Sequence, residues 1–241
     1  MLSSVKAEFR KLLSVRSTYV IAGLALLMQI FLSFYVTGIR ASDLGNPTKL
    51  MDGILGSISL IGLFTALIAV LLVSYEYRYN TITYTLTASN SRTKTLLAKV
   101  IAISIFGLLF TTLNAALNPL LTTWGVSISG HPMTHQVWDW GQLIWRTLFG
   151  GWGYAMAGLI IAVLLRSQVG SIAVLFIVPT TVETLLGIVL KKNTMYLPFK
   201  SLDGVLMAGD LTPAKSAVVF TAYLAVSLFA AWMLFLRRDA N

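Results

Sequence analysis

Residues 17–39 carry no charged side chain, and comparable runs recur at 53–75, 147–165 and 216–236. A longer one extends from Val100 into the region of His131, and another, from Ser167, is broken only by Glu183. A bilayer's hydrocarbon core, about 30 Å thick, is crossed by about 20 helical residues at 1.5 Å each, so each long run is sized to span it. The runs are apolar on every side, unlike the half-polar helices of a soluble core. With 56% hydrophobic residues and a mean hydropathy of +0.79, little of the 241-residue chain is left for a water-soluble domain. The reading is all-α and polytopic, one transmembrane domain over 1–241. Its six spans fall at about 17–39, 53–77, 95–120, 147–166, 168–190 and 213–236.

The totals exclude several chemistries. Without cysteine there is no disulfide, thiolate metal site or cysteine nucleophile. The net charge of +9 does not indicate nucleic acid, because the basic residues flank the spans, where the positive-inside rule and anionic lipid account for them. No small-residue cleavage site follows Lys6, Arg10, Lys11 and Arg16, so a cleaved leader is not expected.

An even number of spans puts both termini on one side. Eleven basic residues flank that side and seven the other, so both termini are expected to be cytoplasmic. Leu2, Val5, Phe9, Leu12 and Leu13 share an arc of about 100° on a helix, with Lys6, Glu8, Arg10 and Lys11 outside it. Residues 1–16 therefore read as an interfacial helix, or as a basic flank that only sets topology. Residues 191–212 are too polar to span yet amphipathic, which suggests a short surface helix or a re-entrant segment on the outer side.

The connection at 78–94 is ambiguous. Thr81, Thr83, Thr85 and Thr87 alternate with Ile82, Tyr84 and Leu86, a strand pattern. A lone strand would leave its backbone groups unpaired, and a short helix capped near Asn80 is the other option. Ser89 or Ser91 then caps the third span.

Here the chain resembles the ABC-2 type permeases, the membrane subunits of one class of ATP-binding-cassette exporters. The likeness is carried by the amphipathic start (Ser4 to Leu12), by Glu76-x-Arg78-x-x-Thr81-Ile82-x-x-x-Leu86 after span two, and by Ser91-Arg92 and Lys99 leading into span three. Two hairpins and a polar outer segment before span six complete the order of parts. One departure is Asn80, where such proteins often have glycine; asparagine tolerates the left-handed backbone a turn needs.

The resemblance implies that 78–94 is a coupling loop seated in a groove of an ATPase subunit, with Tyr79, Thr81, Ile82, Tyr84, Thr85 and Leu86 as contacts. It implies a second contact at the N-terminal helix, where Glu8, Arg10 and Lys11 would lie near a Glu76–Arg78 pair. The implied partners are two ATPase subunits and a second permease, identical or homologous. A substrate cleft between the permeases and a hydrophobic or amphiphilic cargo (a drug, an antimicrobial peptide or a lipid) are also implied.

No cofactor is expected in this chain. It lacks the Gly-x-x-x-x-Gly-Lys-Ser/Thr loop that cradles nucleotide phosphates, so ATP and Mg would be handled by the partner subunit. Gly151, Ala155 and Gly158 instead suggest close helix packing. Glu183 lies inside span five, where an acid should face a cavity or a cation, or else be protonated or paired with a neighbour such as Arg146 or Lys191. With Thr180 and Thr181, and with Gln29 and Ser33 of span one, it is a candidate for the substrate pathway. Asn114 and Asn118 are expected to bond between helices. His131, His135 and Asp139 have a spacing usable for zinc, but Pro132 and the missing fourth ligand oppose a metal site. The rival readings are an ATP-independent secondary transporter and a membrane enzyme built on Glu183.

Overall fold

A computed structural model describes residues 1–35, 47–89, 91–129, 139–207, 209 and 211–237, and everything below refers to these. They form α1 (Leu2–Ser14), α2 (Arg16–Phe34), α3 (Pro47–Arg78), α4 (Ile82–Ser89), α5 (Arg92–Ser129) and α6 (Trp140–Leu165). Then come α7 (Gln168–Ile177), a π-helical turn (Val178–Val182), α8 (Glu183–Leu190), a 3₁₀ segment (Lys191–Tyr196), α9 (Pro198–Leu206) and α10 (Pro213–Arg237). No strand occurs among the described residues. Six helices are long and apolar enough to cross a membrane, α7 to the 3₁₀ segment counting as one.

Two spans make the core. The apolar windows of α3 and α6 are 67% and 61% buried, against 11% for the α7–α8 span. Small residues let α6 approach its neighbours: a Cβ on Gly158 would strike the backbone of Ala66, and one on Gly151 would strike Thr111. This is the packing expected of those glycines, since dispersion between closely set backbones replaces the hydrophobic drive that lipid abolishes.

Local chemistry explains the helix ends. Val15 is extended and divides α1 from α2. Asn80 takes φ 53°, and the N–H groups of Asn80 and Thr81 return to the carbonyls of Tyr77 and Glu76, closing the end of α3 as a left-handed cap. Beyond it the alternating threonines are helical. Thr85 and Thr87 bond back to the carbonyls of Thr81 and Thr83, so the hydroxyls satisfy the turn that the strand pattern opposed. Ser91 caps α5 through the Lys94 N–H.

α6 begins at Trp140, seven residues before the apolar run. Asp139 caps it through the Gln142 N–H at 3.0 Å, and Arg146, which precedes the run in the sequence, is buried with carbonyl partners. Within span five Pro179 has no N–H to give, and the helix widens there so that Glu183 N–H bonds the carbonyl of Val178, five residues back.

Candidate functional site

At the end of the bundle that carries the N-terminus, four charged side chains meet. Glu8 and Lys11 project from one face of α1, Glu76 from the last turn of α3 and Lys99 from the second turn of α5. The Lys99 ammonium stands 2.9 Å from Glu8 Oε2 and 2.8 Å from Glu76 Oε2. Lys11 lies 2.8 Å from Glu8 Oε1 and is paired with Glu76 Oε1. Thr85 of α4 joins them, accepting from Lys11 and donating to Glu76, each at 3.2 Å. Two positive and two negative charges cancel, which is the condition for burying any of them. Burial alone would push the Lys11 ammonium down, but the carboxylates of Glu76 and Glu8 outweigh it and its pKa is raised above 10.5.

The quartet replaces the pair expected of Glu76. Arg78 is not its partner: two positions along a helix point to different sides, and Arg78 donates instead to Gln168 Oε1 at 3.0 Å at the foot of α7. Arg10 is exposed and outside the cluster. Leu12 turns inward beside Glu8, while Leu2 and Leu13 face outward, an apolar ridge suited to the lipid interface.

α4 splits into two sides. Ile82 is 2% exposed and Leu86 packs against the core, so neither is presented to a partner in this conformation. Tyr79, Thr81 and Tyr84 are exposed, Tyr84 to 76%. Beneath them a cavity of about 500 Å³ opens between α1, α2, α3 and α4, lined by Leu12, Val15, Leu71, Leu72 and Tyr75 as well as both tyrosines.

The residues proposed for a pathway do not converge. Gln29 and Ser33 are buried; Gln29 donates to Asn118 of α5 and to Ser57 of α3 at 3.4 Å, holding three spans together. Asn118 thus bonds between helices as expected, whereas Asn114 donates to Phe110 O of its own helix. Thr180 and Thr181 are exposed on the π turn, and Thr180 bonds back to Phe176 O. Glu183 is buried and aims elsewhere. It accepts the N–H groups of Phe199 and Lys200 at 2.8 and 2.7 Å, capping α9.

Neither Arg146 nor Lys191 is that acid's partner. Arg146 sits at the other end of α9, donating to the carbonyls of Val205 and Leu206 at 2.6 and 3.0 Å. An anion at the N-terminus and a cation at the C-terminus oppose the helix dipole at both ends. A third tie fixes the middle: Asp203 accepts from Tyr154 at 2.5 Å and from Ser59.

Sequence reasoning missed Lys99 as a member of the cluster, and Asp203 and Tyr154 altogether. A lysine inside the expected span 95–120 was the available signal for Lys99. Asp203 sits in a polar stretch and gave none. His131 and His135 lie outside the described residues.

Among curated proteins none matches the sequence. A family model described as an ABC-2 family transporter protein matches residues 4–189, which takes in the whole quartet, α4 and all but the end of α8. By that match over most of its length, the chain belongs to the ABC-2 family of transporter proteins.

Proposed function

We propose that this membrane subunit exports an amphiphilic substrate, driven by a separate ATPase that grips the N-terminal end of the bundle. The observation that carries the reading is the quartet. It joins α1, the end of α3 and the start of α5 through paired charges, and α4 through the Thr85 hydroxyl, so a push on one is passed to the others. An apolar contact would slide; paired charges in a low dielectric resist separation. The exposed turn before α4, with Tyr79 and Thr81, and Tyr84 on α4 form the surface offered to the ATPase, with the exposed Arg10 of α1 as a further contact. Thr85 links that surface to Glu76 and Lys11.

In this reading both termini are cytosolic, the membrane is the cell membrane, and a second permease, identical or homologous, completes the cleft. ATP and Mg belong to two partner subunits. Glu183 serves the fold of α9 rather than substrate, because both carboxylate oxygens already accept backbone N–H groups. Gln29 and Ser33 likewise act as interhelical glue.

The test is co-purification of an ATP-binding subunit from the native host. Tyr84→Asp changes only the outer side of α4; it should abolish co-purification and ATP-driven transport in proteoliposomes while leaving the unfolding midpoint unchanged. Full ATPase recovery with this variant, or transport by the isolated chain without ATP, would sink the proposal.

A further inference from the structure

The three ties on α9 leave one side of that helix unused. Lys200 and Asp203 stand three residues apart, a spacing at which a lysine and an aspartate can pair. They do not: among the described residues neither forms an ion pair, and both line one cavity of about 340 Å³ at the end of the bundle remote from the quartet. Met207, Leu211, Thr194 and Ser216 complete the part of the lining that matters.

Asp203 is prepared for a ligand. Its Oδ1 accepts two hydroxyl donors, from Tyr154 and Ser59, which fix the carboxylate. No described residue donates to Oδ2. Ser216, 1% exposed, has a hydroxyl with no hydrogen-bond partner, and it borders the same cavity. A buried hydroxyl left unsatisfied costs free energy that a ligand's polar group would recover. The cavity thus offers the carboxylate of Asp203, the ammonium of Lys200, which also feels the buried Glu183 carboxylate beside it, an unsatisfied hydroxyl and an apolar flank. Its volume lies at the lower end of the range for small-molecule sites.

A lone metal ion would leave most of this space empty and Lys200 opposed. A purely anionic group would meet Asp203, and a purely cationic one Lys200. The arrangement complements a dipolar molecule. We infer that the cavity under α9 binds a zwitterionic amine–phosphate headgroup. The ammonium lies against Asp203 and the phosphate against Lys200, with the glycerol end along Met207 and Leu211. The same chemistry is carried by a phospholipid and by free phosphoethanolamine.

The test uses the full chain in neutral maltoside detergent, with native mass spectrometry counting bound dihexanoyl phosphatidylethanolamine against dihexanoyl phosphatidylglycerol, which lacks the ammonium. One molecule of the former should bind, at least about tenfold more tightly than the latter. Asp203→Asn keeps an acceptor for Tyr154 and Ser59 but should remove that preference. Lys200→Gln leaves all three α9 ties in place and should weaken binding of the ethanolamine lipid several-fold, so it decides the matter if Asp203→Asn does not fold. Displacement by free phosphoethanolamine would identify a soluble zwitterion as sufficient, and its absence a lipid-borne one; either agrees with the site. Equal binding of both lipids, or unchanged affinity in Lys200→Gln, overturns it.

Discussion

The ammonium of Lys99, wholly buried, rests 2.9 Å from the carboxylate of Glu8, 91 positions earlier in the chain. That contact anchors the N-terminal helix to the third span, and Glu76 and Lys11 close it into a neutral set. A coupling element built this way is rigid only while every charge keeps its opposite.

Removing one partner is therefore costly and removing a balanced pair is not. Lys99→Met leaves two carboxylates facing one lysine and should destabilise the protein by about 3–5 kcal/mol in a denaturing-detergent titration. Glu8→Gln with Lys99→Met restores neutrality around Lys11 and Glu76. The double variant should be clearly more stable than the sum of the single losses predicts. Additivity would show that the four charges do not act as one unit.

The docking of α1 should resist alkali. Because the Lys11 pKa is raised above its ordinary 10.5, the stabilisation it gives is complete below that value and lost only as pH climbs through the higher folded value. The chain has no cysteine, so a single Leu12→Cys, at the buried face of α1, reports its docking. Its labelling at a fixed thiolate fraction should stay constant from about pH 7 to 9. With Lys11→Met it should be higher than in the parent chain throughout that range, with no pH dependence of its own. Equal protection in the variant would remove Lys11 from the account.

Helix approach at the core gives a contrast between two glycines. A methyl on Gly158 meets the Ala66 backbone, and α3 and α6 must part, costing about 1–3 kcal/mol. A methyl on Gly23 meets nothing within 4 Å and should be neutral or slightly stabilising. Thermal midpoints in one detergent check both; equal effects would contradict the packing.

The cap on α9 distinguishes structure from transport at Glu183. Glu183→Gln keeps one acceptor and should loosen α9 moderately, whereas Glu183→Leu loses both charged hydrogen bonds, at about 1.5–3 kcal/mol each. Amide exchange at Phe199 and Lys200 should speed up in that order. If transport fails in Glu183→Gln with exchange unchanged, the acid contacts substrate after all.

Length and hydropathy alone revealed the six spans, since crossing lipid requires about 20 predominantly apolar residues whatever they pack against. The left-handed turn at Asn80 and the close approach at Gly158 were legible for similarly local reasons. The threonines near Thr83 left strand and short helix both open, because alternation does not encode that their hydroxyls find partners one helical turn back. The polar site residues were hardest to read. Lys99 meets Glu8 only because α1 folds against α5. Glu183 and Arg146 meet the two ends of α9 only because a short helix happens to lie between them. Hydropathy is a sum over neighbours in sequence and survives translation into three dimensions. The pairing of buried charges depends on which helix faces which, and only the packed bundle decides that.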